Sequence, residues 1–246
     1  MPLSAEERLI LVRVKVKRAK KHLVELETAA EPYRDSYTHV GVSKNYSEVS
    51  QFPPKLRKLP VVSFEMLAIA GDVLHNLRSS LDHVIYHLAL VRNPKTSRED
   101  LRDISFPISK DFHAYKSGAC RKVKRLVEPR AIQFIDTLKP YKGGNDALWR
   151  LHELNNIDKH RRLIPSGRNI LCEGEGFYGY YWLKDNNAPF TRLDVPERQK
   201  DTKLTGFKSL RKLQAAQGKA LIPTLHQLTD FVEILVEKFA PFLAKT

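Results

Sequence analysis

Three long stretches of this chain repeat apolar residues at steps of three and four, the spacing that places side chains on one face of an α-helix. They run from about residue 5 to 31, from about 63 to 91 and from about 218 to 243. A helix with one apolar face has to bury that face against other elements. The sequence therefore predicts a mainly α fold, a helical bundle forming a single domain over residues 1–246.

Local signals predict where two of these helices begin and end. Ser4 and Glu7 have the spacing of a capping box, in which each side chain accepts a hydrogen bond from the other residue's backbone N–H. Pro32 predicts the end of the first helix, and Asn93-Pro94 predicts the end of the second.

Shorter patterns of alternating residues predict two β regions within the helical chain. Residues 37–52 are expected to form a β hairpin, and residues 168–208 a β insertion. The fold class expected is therefore a helical bundle with small β insertions (α+β). No repeat and no linker divides the chain into separate domains.

Composition excludes several classes of protein. With 246 residues, 42% of them hydrophobic, the chain can bury a core and is too apolar to be disordered. No run approaches the roughly 18 apolar residues of a membrane span, so no membrane association is expected. Cys120 and Cys172 suit a reducing compartment, and we expect a cytoplasmic protein. Phosphate-binding loops and dinucleotide fingerprints are absent from the sequence, so no cofactor is expected.

The charge balance predicts a polyanionic partner such as RNA. The chain has 42 Lys and Arg against 28 Asp and Glu, a formal net charge of +14. Clustered cations bind a phosphate backbone, and exposed aromatic rings stack on bases. The candidate cations are Arg13, Lys17, Lys20, Lys21, Arg121, Lys122, Lys124 and Arg125. The candidate stacking residues are Tyr178, Tyr180, Tyr181 and Trp182.

Two polar segments interrupt otherwise apolar helices, at residues 75–83 and 152–161. At about 100° per residue, each segment places polar side chains on one helix face. These residues are His75, Arg78 and Asp82 in the first segment, with Tyr86 just after it, and Glu153, Asn156 and His160 in the second. If the helices are neighbours, the faces meet as one polar network, to which Asn76 and Lys159 are also assigned.

Arg78 and His83 give the first segment an R-x4-H spacing, which resembles the motif of the HEPN superfamily of helical proteins. The resemblance implies a metal-independent endoribonuclease that acts as a homodimer. It implies that Arg78 binds the scissile phosphate and that His83 exchanges a proton with the reacting groups. Asp82 or Asn76 would then orient one of the two. These are tasks for which a guanidinium and an imidazole are chemically suited.

Both segments together, G-D-V-L-H-N-L-R-S-S-L-D-H and L-H-E-L-N-N-I-D-K-H-R, also resemble a bacterial family of uncharacterised proteins that carries both motifs. That resemblance favours one site made by two helices and implies no activity.

Three interpretations of the polar segments remain open. The first is a ribonuclease site. The second is a purely structural network within a nucleic-acid-binding or scaffold protein. The third is a metal site formed by His75, Asp82, Glu153 and His160, although the Glu-x-x-His pairs typical of helical-bundle metal sites are absent.

Overall fold

The computed structural model describes residues 3–34, 64–160, 166–174, 177–183, 203–210 and 221–244. Its helices are α1 (Ala5–Arg34), α2 (Phe64–Arg92), α3 (Arg98–Arg102), α4 (Phe112–Ala114), α5 (Cys120–Leu126), α6 (Pro129–Thr137), α7 (Asp146–His160) and α8 (Leu221–Leu243). A π-helical turn, Tyr115–Ala119, joins α4 to α5. The strands are β1 (Ser166–Gly174), β2 (Phe177–Leu183) and β3 (Lys203–Leu210).

The mainly α prediction and the helical-bundle prediction are confirmed. The three strands pair antiparallel in the order β2-β1-β3, so β1 lies in the middle. They fall in and around residues 168–208, the stretch in which the sequence predicts β structure. The predicted hairpin at residues 37–52 lies outside the described residues. None of the described helices combines the length and the apolar character needed to cross a membrane.

The predicted beginning of α1 is confirmed, and its predicted end is wrong. The Ser4 N–H donates to Glu7 Oε2 at 2.7 Å, and the Glu7 N–H donates to Ser4 Oγ at 3.2 Å. The helix continues past Pro32 to Arg34. Pro32 has no N–H to donate to the carbonyl four residues earlier, yet the helical backbone continues for two residues beyond it.

The second helix lies at the centre of the bundle. It packs against α1, α8 and α7. Leu74, Leu77 and Leu81 on α2 are completely buried, and the buried apolar residues of α1, α2, α7 and α8 belong to one core. The polar segment of α2 is therefore held between neighbouring helices over much of its length.

A row of polar contacts fixes the antiparallel alignment of α1 and α8. Their distances run from 2.5 to 3.1 Å. The contacts are Arg8 with the backbone carbonyl of Leu243, Arg13 with Glu237, Lys20 with Glu233, and Glu27 with His226. The residue numbers of these contacts increase along α1 and decrease along α8. A single antiparallel register of the two helices therefore forms all four contacts.

Residues 104–108, between α3 and α4, have no regular secondary structure. Phe106 is buried, and its ring lies edge-on to the ring of Phe239 on α8, with 6.0 Å between ring centroids. Residues 104–108 therefore pass across the core as an irregular segment. Their backbone needs hydrogen-bonding partners from outside a sheet.

Candidate functional site

Arg78 points into the protein. It is 6% exposed, and its two terminal nitrogens are both engaged: Nη1 donates to Asp82 Oδ1 at 2.5 Å, and Nη2 donates to the backbone carbonyl of Phe106 at 2.8 Å. Burial lowers the pKa of Arg78, and the negative charge of Asp82 opposes that effect. The guanidinium that the sequence assigns to a substrate phosphate is thus bonded within the fold.

Asp82 completes a small network with the same backbone segment. Its Oδ1 accepts the Phe106 N–H at 2.8 Å as well as the Arg78 donor. Both backbone polar groups of Phe106 are therefore bonded to side chains of α2. The arrangement anchors residues 104–108 to the central helix, as expected of buried polar groups that serve structure.

Arg78 and His83 do not lie together. Five residues on a helix correspond to a rotation of about 140°, and the two side chains leave α2 in different directions. The ring of His83 lies 6.3 Å from that of His87, measured between centroids. Burial lowers the pKa of His83, the charge of Lys15 on α1 lowers it further, and Asp82 acts in the opposite direction.

One stripe of α2 remains open to solvent: after the exposed Asp72 it continues with four residues, His75, Ser79, His83 and Tyr86. We call these four residues the open stripe. They fall within about 80° on the helix. His75 is exposed, Ser79 and His83 are half-buried, and Tyr86 is 39% exposed.

Lys15 of α1 borders the open stripe. Its charge lowers the pKa values of both His75 and His83, which lie two turns apart on α2. For His75, burial is the larger cause and the charge of Lys159 adds to it, while Asp72 and Asp158 act in the opposite direction. One lysine therefore lies near two imidazoles that tend to be neutral.

Asn76, assigned by the sequence to the supporting network, is buried and bonded to its own helix. Its Nδ2 donates to the backbone carbonyl of Asp72 at 2.8 Å. One donor of this amide is therefore used within α2.

The helix α7 packs against α2, the condition on which the predicted polar network depends. His152 and Asp158 lie on the side of α7 that approaches α2, whereas the sequence predicts Glu153, Asn156 and His160. Asn155 is 3% exposed, and the charge of Arg78, added to burial, lowers the pKa of His152 to about 4.

The residues assigned to the predicted face of α7 lie elsewhere. Glu153 is only half-buried, and Lys159 is exposed. Asn156 Nδ2 lies 3.0 Å from Nε2 of His152, so Asn156 contacts its own helix. The side chain of His160 lies outside the described residues.

Asp158 of α7 approaches α2 closely, and it does so at a glycine. A Cβ atom added to Gly71 would lie 2.4 Å from Asp158 Oδ1. A glycine within an apolar helix commonly marks such a close approach, and this is the signal that could have identified the face. Burial and the charge of Asp72 raise the pKa of Asp158.

Several buried polar atoms of α7 have no hydrogen-bond partner among the described residues. They are His152 Nδ1, Asn155 Oδ1 and Asp158 Oδ1. Their presence makes the contact between α2 and α7 polar and incompletely bonded. Within the described ranges, no group of three or more His, Cys, Asp or Glu side chains could hold a metal ion. The metal-site interpretation therefore has no support from those residues.

The cations assigned to nucleic-acid binding divide into paired and unpaired groups. Arg13 and Lys20 are paired with Glu237 and Glu233, Arg125 is paired with Asp100, and Lys124 lies 3.8 Å from Asp136. The exposed cations without an ion pair in the described part of the chain are Lys17, Lys21, Arg121 and Lys122. The α1 surface is thus less strongly cationic than its sequence suggests.

Replacing Gly71 by alanine should destabilise the protein by about 1–3 kcal/mol, because the new methyl group displaces the Asp158 carboxylate. In an Asp158→Ala background the same change should be neutral or stabilising, by up to about 1 kcal/mol, since alanine favours a helix over glycine. Chemical denaturation of the four proteins measures both values. Gly118→Ala is the control, because nothing lies within 4 Å of a Cβ added there. Equal effects of Gly71→Ala in both backgrounds would contradict the contact.

Arg78→Ala should lower the free energy of unfolding by about 2–4 kcal/mol, since it removes the charged donor that Asp82 and the Phe106 carbonyl share in a buried site. The exposed Arg130→Ala should change it by less than about 0.5 kcal/mol. Urea denaturation measures both variants. A loss at Arg78 no larger than at Arg130 would show that the network does not stabilise the fold.

Stability should fall as the pH is lowered from about 6.5 to about 4. Burial lowers the pKa values of His87 and His152 to about 4, so in this window the unfolded chain binds protons that the folded chain does not. Each histidine then contributes a slope of up to about 1.4 kcal/mol per pH unit. Urea denaturation across the window measures the slope, which should decrease in His87→Leu. An unchanged slope in that variant would refute the assignment for His87.

Comparison of the chain with known protein families, with curated proteins and with solved structures returns no match. The HEPN-like interpretation therefore remains a prediction from the residues that carry it. Function has to be inferred from the geometry around α2.

Proposed function

We propose that this protein binds single-stranded RNA without cleaving it, through the open stripe of α2 and Lys15. The observation that carries the proposal is the division of the polar segment: Arg78 is buried and bonded to Phe106, while His75, Ser79 and His83 border solvent beside Lys15. Under this proposal Arg78 stabilises the fold, and the accessible donors of the stripe contact the ligand.

The chemistry of the open stripe suits a phosphodiester with an adjoining base. The ammonium of Lys15, the hydroxyl of Ser79 and the N–H groups of two imidazoles are donors for phosphate oxygens. Tyr86 lies on the same stripe with its ring partly exposed, and an aromatic ring stacks on a base whatever its sequence. The proposal therefore predicts binding with little sequence preference.

A second basic region supports attraction of a polyanion. Residues 92–130 contain eleven Lys and Arg against five Asp and Glu. Arg121 and Lys122 on α5 are exposed, and neither forms an ion pair with the described residues. Such a surface raises the rate of encounter and contributes salt-dependent affinity without selecting a sequence.

Ribonuclease activity of the HEPN type is the second candidate function, and the environment of His83 favours it. A half-buried imidazole whose pKa is lowered by burial and by Lys15 is neutral near pH 7, as a general base has to be. In this version Lys15 takes the phosphate-binding role assigned to Arg78. A cytoplasmic homodimer is part of this candidate.

The test is fluorescence anisotropy with a labelled single-stranded RNA. Lys15→Ala and His83→Ala should each weaken binding by about threefold to tenfold, corresponding to the loss of one or two donors. The control variants Lys238→Ala and His113→Ala, at exposed positions on other surfaces, should bind like the parent protein. Affinity should also fall steeply as salt is raised. Equal affinities of all four variants, or no binding by the parent protein, would contradict the proposal.

Gel analysis of the same RNA, with and without EDTA, separates binding from cleavage. RNA that stays intact at saturating protein supports the binding function. Cleavage that survives EDTA, is lost in His83→Ala and persists in a folded Arg78→Lys would support the ribonuclease with Lys15 as its phosphate ligand. Measuring the molar mass of the protein in solution tests the homodimer.

A further inference from the structure

An aromatic cluster lies at the surface where α4 meets the segment between α6 and α7. Phe112 of α4 is 55% exposed, and its ring lies edge-on to the ring of Tyr141, with 5.5 Å between centroids. The buried ring of Tyr115 lies 5.7 Å from that of Tyr141. We call Phe112 and Tyr141 the aromatic platform. Its exposed ring is therefore held by contact with another aromatic side chain.

Backbone hydrogen bonds hold the tyrosine of the aromatic platform in place. The Ser109 N–H donates to the Pro140 carbonyl at 3.0 Å, and the Lys142 N–H donates to the Ser109 carbonyl at 3.2 Å. Both chain neighbours of the tyrosine are thus bonded to the segment that leads into α4. The loop closes tightly, since a Cβ added to Gly144 would lie 2.4 Å from the Lys139 carbonyl oxygen. A surface built in advance loses little conformational freedom when it binds a ligand.

Three lysines lie close to the aromatic platform. The ammonium of Lys116 is 5.8 Å from the centre of the Phe112 ring. The backbone carbonyl of Lys139 accepts the Tyr141 N–H at 2.7 Å, and Lys110 directly follows the serine that bonds the loop. Lys110 and Lys139 are exposed and have no ion pair within the described part of the chain. The exposed ring therefore has cations beside it.

The carboxylates of this region do not balance its cations. Residues 108–145 contain nine Lys and Arg against three Asp and Glu. Asp111 Oδ1 accepts a backbone N–H of α4 at 2.7 Å, Asp136 lies 3.3 Å from Lys116 and 3.8 Å from Lys124, and Glu128 is exposed. Five of the nine cations have no ion pair with the described residues: Lys110, Arg121, Lys122, Arg130 and Lys139.

An exposed ring beside lysines without ion pairs suits a base that is joined to phosphate. The base stacks on the ring, and the phosphates next to it contact the ammonium groups. A duplex keeps its bases paired and stacked inside, so only a single strand offers a base to such a ring. The combination of stacking surface and positive charge therefore selects single-stranded nucleic acid over an acidic protein.

We propose that the aromatic platform, with Lys110, Lys116 and Lys139, is a base-stacking site for single-stranded nucleic acid. One base of the strand stacks on Phe112, and the lysines contact its phosphates. This site shares its class of ligand with the proposed function, but it is built from other elements than the open stripe of α2. Its contribution to binding does not require Lys15 or His83.

The test compares a labelled oligouridylate with a strand of the same length and phosphate content that has abasic sites throughout. Fluorescence anisotropy should show that Phe112→Ala weakens binding of the oligouridylate by about tenfold, the value of one stacked base. Binding of the abasic strand should change less than about twofold, because that strand has no base to stack. The matched control is Phe64→Ala, which removes a ring that is 79% exposed at the start of α2 and should leave both affinities unchanged.

Two further variants separate stacking from charge. Lys110→Ala/Lys139→Ala should weaken binding of both strands alike, by about threefold to tenfold, since it removes only phosphate contacts. Phe112→Trp should retain the affinity for oligouridylate. Its fluorescence should fall more than that of the parent protein when oligouridylate is added, and should stay unchanged with the abasic strand, because a stacked base quenches an indole.

Other results would overturn the proposal. Equal losses of both strands in Phe112→Ala, or a loss no larger than in Phe64→Ala, would show attraction of phosphate alone. An unquenched Phe112→Trp would overturn it independently of how Phe112→Ala folds, which circular dichroism melting checks. If Lys15→Ala and His83→Ala weaken RNA binding while Phe112→Ala binds like the parent protein, the proposed function holds and this inference is wrong. The opposite result would contradict the open stripe and support the aromatic platform.

Discussion

The ion pair between Arg78 and Asp82 determines how the irregular part of the chain joins the central helix. Residues 104–108 cross the core without strand partners, and both backbone polar groups of Phe106 are bonded to these two side chains. The fully buried ring of Phe106 then packs against Phe239 of α8. One pair on α2 therefore fixes a segment that in turn contacts the last helix of the bundle. The structural role of this pair is therefore enough to account for both residues, without a part in any reaction.

The polar contacts between α1 and α8 likewise account for several charged residues of both helices. Arg13, Lys20 and Glu27 are seven residues apart, and each meets a charged or titratable partner on α8. Exposed pairs of this kind contribute little stability individually, but together they favour one register of two apolar helices. They also neutralise cations that the sequence alone would assign to a polyanion.

Periodicity predicted the long helices well, because each buries a continuous apolar face and ends near a recognisable signal. The same reasoning assigned the wrong face of α7, where Glu153 and Asn156 were expected and His152 and Asp158 are found. Both faces of that helix are rich in polar residues, so apolar periodicity does not distinguish them. The deciding contact, between Gly71 and Asp158, joins residues far apart in sequence. The burial of Arg78 depends in the same way on Phe106, which no local pattern links to α2.

The polar side chains of α2 point in two directions because of the geometry of the helix. Arg78 and Asp82 are four residues apart and meet on the side where residues 104–108 pass. His75, Ser79 and His83 share the same spacing but begin three residues earlier, which rotates them about 60° toward α1 and Lys15. A run of polar residues that looks like one site in sequence therefore serves two separate surfaces. The first is bonded to backbone groups of the same chain, and the second borders solvent beside Lys15.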